Sequence, residues 1–371
     1  MRRVLIWTDS VLPYSETFIR NQFDFLRNVS PVLMGIRFSP TDLSRPEDVT
    51  VFGESVYERL LRAAFVRTGR SRRVKGVLRS WRPDVIHAHF LPNAWRVSRA
   101  AEDLGIPLVV TLHGHDATAW PGQTGLRGAL ARSRARRTLA RAALVIAVSE
   151  HIKQRAIGLG ATPDRVVVHH IGVPLRASVA ARNIVWDVIF VGRFVEKKGL
   201  IELLEAVELL AERAPLRVAL IGDGPMKDEV AKKAAASRAN IILLGALSPA
   251  EVAHHLAASR MLVAPSKQAS DGDCEGLPTV VVEAAAAALP VVATLHSGIP
   301  EAVLDGRTGL LSPEGDVARL AANIMMLFEN HNLASDLGRQ GRAFVENAFD
   351  MSKQTAILET YYEDISAGAS R

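Results

Sequence analysis

The sequence predicts an α/β protein made of two doubly wound parallel sheets, on three observations. Short β-branched runs alternate with helix-length segments along the whole chain. The runs are almost continuously apolar, which marks strands covered on both faces. At 371 residues the chain also exceeds the roughly 250–300 at which a single core stops growing, so two domains are expected.

The first series of strands is RVLIW (3–7), PVLMGI (31–36), DVIHAHF (84–90), PLVVTL (107–112), ALVIAVS (143–149) and RVVVHH (165–170). After the first strand, SETFIRNQFDFL (15–26) reads as a helix with Ser15 as its N-cap. GVPLRASVAARN (172–183) interrupts the alternation with Pro, Gly and small residues, and divides the chain into an N-terminal domain over 1–177 and a C-terminal domain over 178–350. The second series is DVIFVG (187–192), LRVALIG (216–222), NIILLG (240–245), MLVAP (261–265), PVVAT (290–294) and TGLLS (308–312). Helical segments follow at 316–330 and 333–349. A last helix from 351 is free to pack on either domain, the N-terminal one included. Tandem domains of this type enclose a cleft, and each sheet offers the carboxyl ends of its strands as a binding edge.

Composition narrows the classes. A hydrophobic content of 48% without low-complexity tracts or repeats describes a folded globular chain rather than disorder. The opening MRRVLIWTDS has too few apolar residues for a signal-peptide core, and the apolar stretch at 277–294 is broken by Pro278, Glu283 and Pro290. The lone Cys274 excludes an internal disulfide and suits a reducing compartment, so a cytoplasmic location is expected. The net charge of +6 conceals an asymmetry: residues 1–182 carry a balance of +14 and residues 183–371 one of −8.

Three stretches of the C-terminal half carry chemistry. In VGRFVEKKGL (191–200) a strand ends near Gly192, and Arg193 and Lys198 precede a helix opened by Gly199. Two cations beside free helix amides suit a diphosphate, although solvated loop charges are the plainer alternative. GDGPMKDEV (222–230) lacks the third glycine of a dinucleotide fingerprint. Its Gly222 and Gly224 serve either close approach of a loop to a ligand or a structural turn, with Pro225 starting a helix. In EGLPTVVVEAA (275–285) the apolar neighbours of Glu283 imply a buried carboxylate that needs hydrogen-bond partners. Glu275, Gly276, Leu277 and Thr279 lie just before it, with amides available to an anion.

On these motifs the chain resembles the retaining glycosyltransferases of family 4, two-domain enzymes of the GT-B architecture. Glu275 and Glu283 match their Glu-x7-Glu motif, and VGRFVEKKGL and LIGDGP fit in order and spacing. The resemblance implies that Arg193 and Lys198 bind the donor diphosphate, that Glu283 hydrogen-bonds the ribose and that Glu275 contacts the transferred sugar. It also implies backbone contacts from Gly276, Leu277 and Thr279, and a base site near Leu244 and Gly245. In the N-terminal half, HAHF (87–90) and TLHGHD (111–116) end strands at the binding edge. His113 matches the histidine that approaches the donor sugar in this family, while His89 and Asp116 are acceptor-side candidates; a structural role is the alternative for each. The first loop, TDSVLPYSETF, departs from the family's Gly-Gly pattern. Together with SETF, HAHF, HGHD, DGDCEG and HSGIPE it looks like the subgroup that builds colanic acid and related exopolysaccharides. His296 and Ser297 are candidates to line the cleft or to cap a loop.

The implied activity is transfer of a hexose from a UDP-hexose or GDP-mannose donor to a saccharide or lipid-linked acceptor, with retention and without a cofactor. DGD (271–273) resembles a metal-binding Asp-x-Asp, but no further ligand is spaced to complete a site, so no metal is expected. The basic stretches 57–81 and 125–144 interleave Arg with apolar residues at helical spacing, which suits a solvated face or contact with an anionic membrane at the inner face of the plasma membrane. No nucleic-acid motif accompanies them, and nucleic acid is not expected as a partner. A nucleotide-sugar epimerase or hydrolase and a non-catalytic nucleotide-sugar sensor are the rival readings.

Overall fold

The computed structural model describes residues 1–11, 16–38, 41, 43–175 and 183–369. The chain forms two compact units, residues 1–172 with 351–371, and residues 173–350. The expected N-cap Ser15 and the boundary at 177 lie outside the described residues.

In the first unit the elements are β1 (Arg2–Val11), α1 (Thr17–Phe25), β2 (Val29–Phe38), β3 (Val49–Thr50), α2 (Val56–Thr68), α3 (Arg72–Trp81), β4 (Val85–His89), α4 (Leu91–Asp103), β5 (Leu108–Leu112), α5 (Ala119–Gly122), α6 (Gly125–Arg141), β6 (Leu144–Ala147), α7 (Glu150–Gly158) and β7 (Val166–Val168). Seven strands pair in the order β3-β2-β1-β4-β5-β6-β7, all parallel. The two-residue β3 is too short for a periodic signal, and the sequence does not announce it. Val4, Ile6, Val85, Val109 and Ile146 build the core beneath one face.

The second unit holds β8 (Trp186–Val191), α8 (Leu200–Leu210), β9 (Arg217–Ile221), α9 (Lys227–Ala236), β10 (Asn240–Gly245), α10 (Pro249–Ala257), β11 (Ser259–Ala264), α11 (Thr279–Ala286), β12 (Val291–Thr294), α12 (Ile299–Ala302), β13 (Gly309–Ser312), α13 (Val317–Glu329) and α14 (His331–Ala348). Its six parallel strands run β10-β9-β8-β11-β12-β13. Apolar side chains cover both faces of these strands: Val188, Val218, Met261 and Val292 on one face, and Ile189, Leu262 and Val291 on the other, are all fully buried. α10 starts with a complete capping box, Ser248 accepting from the Glu251 amide while Glu251 accepts from Ser248. Pro225 sits in a turn two residues ahead of α9 rather than at its first position.

The last helix, α15 (Met351–Ala369), belongs to the first unit. Leu358 and Tyr362 are fully buried there. Glu359 caps the end of α1, accepting from the amides of Arg27 and Asn28, both at 2.6 Å, and from the Asn28 side chain at 2.8 Å. These bonds satisfy donors that the chain leaves unpaired where it leaves α1 for β2.

Candidate active site

In the second unit the strand order reverses between β8 and β11. Ligands of such sheets bind outside the carboxyl ends of the strands at that reversal. The loops there carry the two motifs singled out above. After β8, Gly192 leads to an exposed Arg193, whose guanidinium has no ion-pair partner among the described residues. Glu196–Lys198 form one 3-10 turn that ends at Gly199 with φ 65°. A Cβ there would lie 1.9 Å from the Pro265 carbonyl oxygen, so glycine is what lets the β8 and β11 loops touch. Polar bonds then join them. Lys197 donates to Asp273 at 3.1 Å and to the Cys274 carbonyl at 3.2 Å, Ser270 donates to Glu196, and the Lys267 amide donates to the Lys197 carbonyl at 2.9 Å.

Glu275 lies at the centre of this junction and is only 6% exposed. Lys198 Nζ stands 3.1 Å from its Oε1, an ion pair without the alignment of a hydrogen bond. The loop after β12 fixes its backbone. The Glu275 amide donates to His296 Nε2 at 3.0 Å, and the Ser297 hydroxyl donates to the Glu275 carbonyl at 2.5 Å. Because Nε2 accepts, Nδ1 carries the proton and donates to Glu314 at 2.7 Å. His296 and Ser297 therefore position Glu275. Burial by itself would raise the Glu275 carboxyl, but the Lys198 and Lys197 charges outweigh it and hold the group below its ordinary 4.5.

Glu283 departs from the burial expected of it. Glu283 is half-buried, sharing a stripe of α11 with Thr279, Val280 and Ala287, while Val281, Val282, Ala284 and Ala285 take the core side. Apolar neighbours in sequence lie on other faces of a helix, so they do not bury the residue between them. The amides of Gly276, Leu277 and Thr279, just ahead of and at the start of α11, have no protein acceptor among the described residues.

Gly222 and Gly224 both meet a structural need for close loop approach. A Cβ on Gly222 would fall 1.9 Å from the Gly192 carbonyl oxygen, and one on Gly224 would fall 2.5 Å from that of Phe194. Both bring the β9 loop against the β8 loop. Leu244 and Gly245 lie at a register shift that ends β10, with Gly245 at φ 74° and its carbonyl accepting from the Gly222 amide at 2.8 Å. Such a bulge re-aims the side chain beside it. In the DGD segment, Asp273 is engaged by Lys197 and Asp271 accepts from the Asp273 amide at 2.9 Å.

The first unit has its own reversal between β1 and β4. Three histidines from β4 and the β5 loop stack there: ring centroids are 4.4 Å apart for His87 and His89 and 5.3 Å for His89 and His113. His87 is held by Tyr362 and Thr111, each at 2.6 Å, and His89 Nδ1 meets His113 Nε2 at 3.1 Å. Burial lowers all three, His89 to about 3, so the column is neutral at physiological pH. His113 is half-buried, and its Nδ1, like His89 Nε2, has no hydrogen-bond partner among the described residues. Two neutral imidazoles share one proton-bearing contact, so one outer nitrogen is a donor and the other an acceptor.

Asp116 is a correction to its reading as an acceptor-side group. It is 1% exposed and accepts from the amides of His113 at 2.9 Å, Gly114 at 3.0 Å and Leu91 at 2.9 Å. It ties the β5 loop to the start of α4 and thereby places His113. His89, at 2% exposure, likewise supports His113 more than it faces outward. Sequence reasoning also missed a charged group at this edge. Arg96 donates to Asp9 at 2.6 Å, Arg37 lies 3.6 Å from Asp9, and Glu16 of SETF is raised to about 7 by burial and by Asp9 against the pull of Arg37. Four distant segments meet there, and the only local signal was a glutamate straight after the first strand's loop.

Comparison with known proteins agrees with the geometry. Residues 175–344 match the family model described as glycosyl transferases group 1, and residues 36–177 match that of Glycosyltransferase Family 4. TuaC of Bacillus subtilis, named for teichuronic acid biosynthesis, is 28% identical over 309 residues, covering 76% of this chain and 71% of TuaC. WcaL of Salmonella typhimurium, named for colanic acid biosynthesis, is 32% identical over 251 residues, covering 65% of this chain and 60% of WcaL. Anabaena Alr3699/HepE, solved in complex with UDP, superposes with a TM-score of 0.78 at 19% identity, over 98% of this chain and all of that one. Two parallel-sheet units of this kind make the GT-B architecture. From the two family models, which adjoin at the division between the units, the chain belongs to the glycosyltransferases, with a Family 4 N-terminal part and a group 1 C-terminal part.

Proposed function

We propose that the protein transfers a hexose, with retention of configuration, from a nucleoside diphosphate sugar to a saccharide or lipid-linked saccharide in the synthesis of an exopolysaccharide or cell-envelope glycan, at the inner face of the plasma membrane. One observation carries the reading: an ionised, buried Glu275 paired with Lys198 at the strand reversal, beside Arg193 and the amides leading into α11, which have no partner among the described residues. A diphosphate takes Lys198, Arg193 and those amides, and these groups stabilise the charge that grows on it as the sugar–phosphate bond breaks. Glu275, released from Lys198, accepts from sugar hydroxyls. Glu283 faces the ribose, and the bulge at Leu244 faces the base. With two cations in place, charge compensation needs no metal. The acceptor's hydroxyl attacks the anomeric carbon on the face the diphosphate leaves, and the departing phosphate takes its proton. His113, held neutral by burial, is a hydrogen-bonding partner for the sugar and not a charge.

The names of TuaC and WcaL support the glycan class, and the UDP and UDP-glucose complexes of HepE support a UDP-sugar ahead of GDP-mannose. A panel of UDP-hexoses and GDP-mannose, with saccharide and lipid-linked acceptors, tests the proposal by product analysis. A new glycosidic bond with the donor's anomeric configuration is expected. Free sugar or an epimer without such a bond would replace transfer by hydrolysis or epimerisation, and donor binding without turnover would leave a sensor.

A further inference from the structure

The first unit turns apolar side chains outward where a water-facing helix carries polar ones. On α2, Val56, Tyr57 and Leu60 are 76%, 68% and 65% exposed, and on α6 Leu126 and Leu130 are 91% and 50% exposed. Scattered exposed apolar residues need no explanation, but five on two neighbouring helices do. Both helices pack on α4. Arg134 of α6 joins them: its guanidinium lies 3.9 Å from the Trp95 ring of α4, and Nη2 donates to the Arg67 carbonyl at the end of α2 at 2.8 Å.

The positive charge around these residues is compensated only in part: Glu54 pairs with Arg59 and Arg62, and Glu58 pairs with Arg73. Arg67, Arg127, Arg136 and Arg137 are exposed, and none has an ion-pair partner among the described residues. No helix among the described residues is long and apolar enough to cross a membrane. Apolar side chains amid free guanidiniums match a surface with acyl chains under a layer of phosphates: the first enter the acyl boundary, and the second hold the headgroups. We infer that the outer faces of α2 and α6 dock the first unit onto an anionic lipid bilayer. This gives the membrane position proposed above a specific contact, and it is tested apart from glycosyl transfer because docking needs neither donor nor acceptor.

The test is co-sedimentation of the full chain, without nucleotide, with phosphatidylcholine vesicles that contain or lack phosphatidylglycerol. Binding is expected only when phosphatidylglycerol is present, and it weakens as salt screens the contact. Reversing Arg127, Arg136 and Arg137 to Glu together lowers the partition coefficient at least about tenfold. Leu60→Ser with Leu126→Ser lowers it separately. All five positions are exposed, so the circular dichroism spectrum and melting temperature of both variants match the parent. Equal binding to both vesicle types, no binding to either, or undiminished binding by the charge-reversed variant would overturn the inference. So would preference for a soluble sulfated polymer over phosphatidylglycerol vesicles, which would assign the surface to an acidic glycan.

Discussion

Glu275 and Lys198 make the sharpest predictions at the scale of single residues. Glu275→Gln keeps the shape but leaves Lys198, whose side chain is 17% exposed, without its counter-charge. A loss of about 1–3 kcal/mol is expected in urea unfolding at neutral pH, below the cost of breaking a fully buried pair because water reaches the lysine. The folded carboxyl titrates below 4.5, so this contribution is present above the unfolded pKa and is lost as pH falls through the folded one. The stability gap between parent and variant therefore narrows in acid. The histidine column acts in a higher window. His89 titrates near 3 when folded and near 6.5 when unfolded, so its contribution is whole above about pH 6.5 and falls by about 1.4 kcal/mol per pH unit below it. His89→Asn, which no longer titrates, should lose less stability than the parent between pH 7 and pH 5; parallel loss would contradict a neutral buried His89.

At the scale of elements, the close approach of the β8, β9 and β11 loops makes the site, and glycines permit it. Gly222→Ala forces a methyl against the Gly192 carbonyl oxygen, whereas Gly245→Ala meets nothing within 4 Å and suffers only its φ of 74°. Gly245→Ala should cost about 1–2 kcal/mol and Gly222→Ala more than about 3 kcal/mol, as a backbone clash does; denaturant titration ranks them. The strands themselves were legible: NIILLG is β10 as read, and every other strand of the second unit falls within two residues of its apolar run. What was not legible depends on where loops meet. The apolar run around Glu283 suggested burial that the helix assigns to its neighbours, while Glu275, amid Gly and Asp, is buried because the 196–198 turn and the 296–297 loop close over it. Asp116 read as a site residue for the converse reason: a carboxylate that caps three amides from two segments has no local signature.

At the scale of the molecule, the two units have separate cores, and α15 completes the first. Leu358→Ala empties a fully buried position of the first core and Ile324→Ala one of the second, each at a cost of about 2–5 kcal/mol. Calorimetry should show each variant lowering a different transition; a single transition moved equally by both would mean that the units unfold as one. The charge asymmetry divides the same way, with the basic half bearing the proposed bilayer contact and the acidic half the donor cations. The central claim is that Lys198 and Glu275 hold a donor whose sugar is passed on. The most direct measurement is mass spectrometry and NMR of the product formed from UDP-hexose and a saccharide acceptor by the parent and by Lys198→Ala. The parent is expected to form a glycosidic bond with the donor's anomeric configuration, and Lys198→Ala, still folded, to form it about 100- to 1,000-fold more slowly. An inverted linkage, or full activity in Lys198→Ala, would contradict the account.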